Sequence, residues 1–544
     1  MKSWTLFFSA FLSIALLACG PGKFSKEAQQ AAGGPKNVFR YPIVTNPTSL
    51  DPAVVQDGDT IDLLQQVYEG LVRWDENSRV APNLAKSWDL SSDGRTYTFH
   101  LKEGSKFFSG REVKADDFKW SIERAVRPSP KQIDLTKHPL ISTTAKTYLI
   151  DIVGVKEKLD GTAKEISGLK VIDDYTLTIT IDKPRPYFLG KLTYIVSYAV
   201  DKDKVPADRE ITKAEEMAGT GPFSVEQYLA EQLVVLTKNT AYHGGTVGID
   251  KIERPVIKDA ATRLNKYKAG EIDLVMLERQ DVPALQSDPE FKSHLQFFDR
   301  PSLWYVGLNQ SVVPQFKDLR VRQAIAMAID KEKIVSQYLG GVNKVANGIV
   351  PPGVFGYRES SVALPYDPAA ARKLLAEAGF PDGKGFPELE ITFREQRPDI
   401  QIVAEAVASN LNENLNISVK THTMEWRAYL DKHSANKMPF FHMRWAADYL
   451  DAENFLSVLL AGYGPENHVG YANPAYDALC READTISDES KRLELYGKAE
   501  DLVLQDAPFV PVYFQRDAEL INPRIKGLRE SLFGHLPHTT VTAN

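Results

Sequence analysis

The sequence predicts an α/β protein of more than one domain, on three observations. At 544 residues the chain exceeds what one hydrophobic core sustains, so two or three domains are expected. Alternating and helical periodicities take turns: 389–393 alternates, 403–411 has helical spacing, and 417–423 alternates again. Strand–helix–strand order of this kind builds lobes around a mainly parallel sheet. No repeat of the 20–50-residue kind is evident, which sets a solenoid aside. A composition 43% hydrophobic and 25% charged is that of an ordinary soluble globular chain. The net charge of −7 leaves no electrostatic footprint for DNA or RNA.

The N-terminus reads as an export signal. Lys2 precedes an apolar run from Leu6 to Ala18, and Cys19-Gly20 follows. The run is too short to span a bilayer and fits the apolar segment of a signal peptide. Leu16-Leu17-Ala18-Cys19 resembles the bacterial lipobox. Residues 1–18 are therefore expected to be removed and Cys19 to carry lipid; the alternative is an ordinary signal peptide with an incidental thiol. No later stretch is apolar enough to span, so lipid alone would hold the mature chain to the membrane. With Cys19 lipidated, Cys480 has no disulfide partner and reads as a small buried hydrophobe in a helix. Residues 19–37 mix Pro, Gly, Lys and Gln without periodicity, as a flexible tether does.

Folded structure is expected from Val38, where Val38-Phe39-Arg40-Tyr41 alternates. After the turn residues Asn46 to Pro52, a helix presents Ile61, Leu64, Val67, Tyr68 and Leu71 on one face. Ser92-Asp93-Gly94 is a hairpin turn leading into a strand with Tyr97, Phe99 and Leu101 on one side. Phe107 to Gly110 forms another turn, and Lys114 to Asp117 opens an amphipathic helix carrying Phe118, Ile122 and Ala125. Further on, 262–268 has the spacing of a crossover helix within a strand–helix–strand unit. Residues 321–338 read as one long helix with Ala324, Ile325, Ala328, Ile329 and Ile334 buried. Pro351-Pro352-Gly353 breaks the chain, and 368–379 is a helix with Pro near its start and Gly379 as its cap.

The stretch from Phe441 to Phe455 carries the chemistry. Trp445 stands three residues before Asp448, with Tyr449 and Asp451 close behind. An aromatic wall beside a carboxylate suits a cationic, partly apolar ligand such as a peptide N-terminus. The same residues also suit a buried Trp beside a helix whose first turn carries stabilising acids. Asp448 and Asp451 could instead be read as an acid/base pair. No substrate-positioning motif, His-Glu-x-x-His zinc site or Gly-x-Ser-x-Gly elbow accompanies them, so no enzyme, metal site or cofactor is expected.

An ordered set of short motifs then points to a family. Leu50-Asp51-Pro52, Glu69-Gly70-Leu71, Pro82-Asn83-Leu84-Ala85 and Ser87-Trp88 come first. Asp93-Gly94, Tyr97-Thr98-Phe99, Gly110 and Asp116-Asp117 continue it. Gly219-Thr220-Gly221-Pro222-Phe223, Ala269 to Asp273, Asp318 to Ala324, Ala328 to Lys331 and Ala371 to Phe380 complete it. Each is weak alone; together they make residues 40–520 resemble the family 5 extracellular solute-binding proteins, the oligopeptide- and dipeptide-binding lipoproteins of ABC importers.

That resemblance implies a two-lobed periplasmic-binding-protein-like clamshell of type II, in the three-domain arrangement called cluster C. The base domain would take residues 38–66, 195–299 and 515–544, and an extra α+β domain residues 67–194. The second lobe would take 300–514, with a two-strand hinge near 302–308 and 510–514. It also implies that Asp448 pairs with a peptide α-ammonium, with Trp445 and Tyr449 beside it. Trp426, in Glu425-Trp426-Arg427-Ala428-Tyr429-Leu430, would line the same cleft, and Asp57 and Gly58 would approach from the opposite lobe. The implied partners are a peptide, a permease with ATPase subunits and, through the lipid, the membrane; the chain would be a monomer on the extracytoplasmic face of the envelope. This sequence has Ala452 where the family often has Pro, and His442 where some members carry an Arg that holds the peptide carboxylate. Strand alternation is expected to turn Arg444 away from that role, so carboxylate recognition stays open. As the alternative, the same fold could hold a nickel chelate, haem, an opine or an oligosaccharide, or serve signalling or adhesion without a transporter.

Overall fold

The computed structural model describes residues 37–128, 140–395 and 397–544; the expected signal segment, Cys19 and most of the expected tether lie outside them. Three sheets organise the chain. A four-stranded sheet runs Val38–Arg40, Lys251–Pro255, Leu233–Lys238, Phe223–Leu229, parallel only at its first pair. Phe39, Leu63, Leu64, Val67, Tyr68, Phe223, Leu236 and Ile252 pack its core. The helix expected after the first turn spans only Gly58–Leu64. Val67, Tyr68 and Leu71 are buried as foreseen, but from a turn, because the backbone of Gln66 and Val67 receives Phe223 and Gly221.

A second sheet, wholly antiparallel, runs Ala85–Leu90, Thr96–Leu101, Thr176–Thr180, Leu169–Asp173. The turn at 92–94 and the inward Tyr97, Phe99 and Leu101 are as expected. Helix Ala115–Ala125 lays Phe118 and Ile122 onto the core that holds Phe99, Leu177 and Ile179. Its start is fixed by Asp117, whose carboxylate accepts from the Lys114 N–H at 2.8 Å.

The large sheet runs Leu274–Met276, Phe509–Ile521, Leu295–Leu308, Phe440–Ala446, Leu389–Arg394, Val419–Met424. It is mixed, which corrects the expectation of a mainly parallel sheet. Only the two pairings of Leu389–Arg394 are parallel, and helix Pro398–Leu415 makes the crossover to one of them. The rest is built around two long antiparallel strands, which need no crossover helix. Helix Ala260–Lys268 forms where foreseen, but its flanking strands belong to different sheets, so it is no crossover within one.

The long strands pair from Leu295↔Leu520 to Gly307↔Phe509, with register shifts between Asp299 and Leu303 and between Trp304 and Tyr305. Pro301 and Pro511 lie at these shifts, where a missing N–H interrupts the ladder and lets it bend. Separate cores flank this sheet. Phe440 points into one with Ile325, Val403, Val407 and Leu411; its neighbour Phe441 points into the other with Leu456, Tyr476 and Tyr496. The helix expected over 321–338 stops at Ala328. Ile329 is extended, and Asp330 caps a new turn by accepting from the Lys333 N–H at 2.9 Å.

Candidate ligand-binding site

Asp448 sits just past the end of strand Phe440–Ala446, where the chain turns toward helix Glu453–Leu460. Asn454 fixes that turn: its side-chain oxygen accepts from the Trp445 indole at 2.9 Å and from the Asp448 N–H at 3.1 Å. One residue thus holds the aromatic and the acid in a fixed relation. Asp448 is half-buried, and the Tyr148 hydroxyl, 300 residues away in sequence, donates to it at 3.1 Å. Burial raises its pKa, while the bonds from Tyr148 and Asn454 act the other way. Among the described residues no cation lies within ion-pair distance; Lys191, whose charge acts on it, is held by Asp151 at 2.6 Å. A desolvated carboxylate with spare lone pairs and no counter-ion is prepared to receive an ammonium.

The opposing wall is aromatic. Tyr148 stacks on Tyr194 with centroids 3.7 Å apart, and the Tyr194 hydroxyl donates to the Val55 carbonyl at 3.2 Å. This ties the loop containing Asp57 and Gly58 to the ring that meets Asp448. The Asp57 carboxylate itself is engaged, capping the Gly58 helix through Thr60 and accepting from Thr48. Gly58 is exposed, with nothing within 4 Å of where a Cβ would stand, so its backbone is open to approach.

Other expected residues are placed differently. Tyr449 is buried, stacks on Tyr187 at 5.1 Å and donates its hydroxyl to Glu453. Asp451 is paired with Arg492 at 2.8 Å and caps the Glu453 N–H at 3.0 Å; it is a structural acid, not the partner of Asp448. Trp426 opens helix Trp426–Ser434, 38% exposed, with Arg394 over its ring at 4.6 Å. His442 is fully buried against Trp304, both ring nitrogens lack hydrogen-bond partners, and burial pulls its pKa down to about 4.

Arg444 shares the face of His442: its guanidinium lies over the same Trp304 ring at 5.9 Å. The alternation argument that set it aside is thereby corrected, since residues two apart in a strand point the same way. Around it stand Arg279, Arg394 and Arg397. Asp399 binds Arg279 and, at 3.2 Å, Arg397. Burial, then Arg397 and Arg444, pull the pKa of Arg394 down. The Tyr513 hydroxyl, acted on by Arg279, Arg397 and Arg444, is buried without a partner. Four arginines gather here against Asp399, with Asp517 acting on Arg444 and Glu278 on Arg397, and the excess of positive charge makes an anion-accepting region.

Between these charges lies a strand edge that no described strand pairs with. Phe440 and Phe441 pair with Ile391 and Thr392, but beyond them the two strands part. On that side the His442 carbonyl accepts from the Tyr429 hydroxyl at 3.0 Å. Alternation turns the Arg444 N–H and C=O to the same side, where an extended chain can pair with them. Tyr148, Asn454, Arg279, Arg394 and Arg397 were not singled out in the sequence, and Arg444 was considered there only to be set aside. Asn454 had a signal, a capping-type residue just inside a helix start; Tyr148 had none.

Comparison with known proteins bears on this arrangement. The family model described as bacterial extracellular solute-binding proteins, family 5 Middle, matches residues 79–467. The probable deoxycholate-binding periplasmic protein YgiS of Escherichia coli is 30% identical over 504 residues, 91% of each chain. Heme-binding protein A of Haemophilus influenzae is 29% identical, covering 97% of this chain and 96% of its own. The unliganded open form of the Escherichia coli murein tripeptide binding protein MppA superposes with a TM-score of 0.79 at 26% identity, covering 94% of this chain and 98% of that one. The architecture is the two-lobed clamshell of such proteins.

Proposed function

The chain belongs to the bacterial extracellular solute-binding proteins of family 5, and from that premise we propose that it captures peptides between its lobes. Asp448 carries the proposal: a half-buried carboxylate, bonded by Tyr148 and lacking a counter-ion among the described residues, takes the peptide α-ammonium. The peptide main chain extends along Met443 to Ala446 and pairs with Arg444, as an added strand does. Trp445 and Trp426 form walls, and the Asp57-Gly58 loop closes from the other lobe. Arg394, Arg397 and Arg444 take the carboxylate end, in place of an arginine at His442.

The lobes divide as the resemblance implies: 38–66, 195–299 and 515–544 with 67–194 on one side, and 300–514 on the other. The two long strands act as the hinge. Loaded and closed, the protein delivers its ligand to a permease driven by ATPase subunits, while lipid on Cys19 holds the monomer at the membrane. The supports are that strand edge, the opposite charges at its two ends, and a relative whose name says that it binds a murein tripeptide.

Calorimetric titration of the purified, refolded chain tests this, using di- to hexapeptides, their N-acetylated forms and Asp448→Ala. Saturable binding lost on acetylation and in the variant is expected; tight binding indifferent to both would sink the assignment. The arginine-rich end also favours a second reading, a non-peptide anion. Deoxycholate and haem, named for two relatives, belong in the same titration as its arms.

A further inference from the structure

A cavity of about 390 Å³ lies away from the Asp448 cleft, between the Gln65–Trp74 segment, the Tyr242–Gly244 turn and the C-terminal stretch 529–540. Neither Asp448, Trp445, Trp426 nor Asp57 lines it. Its acid is already satisfied. Glu69 is buried and accepts from Thr220 at 2.9 Å, Tyr242 at 2.9 Å and His243 at 2.8 Å.

Its cations are not satisfied. Among the described residues, Arg73 and Lys102 have no carboxylate within ion-pair distance; Arg73 reaches only the Pro82 carbonyl, at 3.4 Å. Arg529 shares Glu76 at 3.2 Å and serves Pro537 and Thr539, yet its Nε is buried without a partner. The Nδ1 atom of His535, on a side chain 9% exposed, is also buried and unpartnered. Burial lowers the pKa of His535, but Glu519, bonded to its Nε2 at 2.9 Å, more than reverses this and holds it at about 9. At neutral pH its Nδ1 therefore carries a proton with nowhere to go. The apolar wall is Trp74 against Phe533, rings 5.7 Å apart, with Phe533 40% exposed.

We propose that this cavity is a second binding site, independent of the cleft, for a small oxyanion carried on a flat aromatic body. Buried donors without acceptors are costly, and one carboxylate or phosphate group can accept from several of them at once. Arg73 and Lys102 supply the charge at the mouth. Trp74 and Phe533 supply the ring contact, and the saturated Glu69 offers nothing to a cation.

The test is titration of the purified chain with phenyl phosphate, benzoate and uncharged benzyl alcohol, followed by calorimetry. Lys102→Met, Arg73→Gln and Asp448→Asn are run beside the parent. Lys102 is half-exposed, its N–H donates to the Leu84 carbonyl at 2.9 Å, and its ammonium has no hydrogen-bond partner among the described residues, so replacing the side chain spares the fold, and an unchanged melting temperature checks that. Expected is saturable binding of at least one anion, about tenfold weaker in Lys102→Met or Arg73→Gln, unaltered in Asp448→Asn. Whether phenyl phosphate or benzoate binds more tightly identifies the oxyanion. The proposal is overturned by equal binding of benzyl alcohol, by indifference to both cation replacements, by loss in Asp448→Asn, or by no binding of either anion up to about 10 mM.

Discussion

At the scale of single residues, two buried titratable groups are shifted in opposite directions, yet both work against acidification. Asp448 is raised above the usual carboxylate range because burial outweighs the bonds from Tyr148 and Asn454. In the proposed complex the ammonium stabilises the carboxylate, so its pKa is lower there than in the free protein. As pH falls through the raised value, the free protein takes up a proton the complex lacks, and affinity drops. Titrations between neutral pH and about pH 4 should show this loss together with proton release on binding. Asp448→Asn should remove both, with about 2–5 kcal/mol of binding energy. His442 works through stability. Its pKa is about 4 in the folded chain against 6.5 when exposed, so the native state binds fewer protons between those values. Stability is complete above the unfolded pKa and is lost as pH falls. The loss from this residue is about 2 kcal/mol at pH 5. His433 and His538, also held low by burial, add to the total. Denaturant midpoints at pH 7 and pH 5 should differ less in His442→Phe than in the parent.

At the scale of elements, local chemistry was readable and pairing was not. Gly379 was legible as a helix cap, and its φ of +99° shows why only glycine suits it. Gly379→Ala should cost about 1 kcal/mol, seen as a lower thermal midpoint. The break at Ile329 carried its signal in Asp330, a capping residue directly before the basic turn Lys331–Lys333, yet the apolar periodicity through Ile334 masked it. Asp330→Ala should cost about 1 kcal/mol in denaturant unfolding, since the Lys333 N–H loses its acceptor. The mixed order of the large sheet lay beyond local reading, because it is made by Leu295–Leu308 meeting Phe509–Ile521, some two hundred residues apart in the chain. The candidate site divides the same way. Trp445 and Asp448 could be read because they share one short stretch, whereas Tyr148 comes to them only through the fold.

At the scale of the molecule, function rests on how the lobes meet. Tyr148 bonds Asp448, Tyr187 stacks on Tyr449, and Arg279 pairs with Asp399. In each, a residue from the segments proposed for the first lobe touches one from 300–514. These contacts favour approach of the lobes before any ligand arrives, so the ligand works against a small remaining difference. The Arg279–Asp399 pair is the one least entangled with the proposed ammonium anchor, and it can be removed alone. Arg279→Ala should open the ligand-free protein, raising its radius of gyration in small-angle scattering. Peptide should restore the compact form. Because apparent affinity scales with the fraction already competent to bind, Kd should rise about tenfold or less, far below the loss in Asp448→Asn. An unchanged radius of gyration in the variant would mean that the pair does not govern closure. A loss of binding as large as that of Asp448→Asn would instead make Arg279 a direct contact of the ligand.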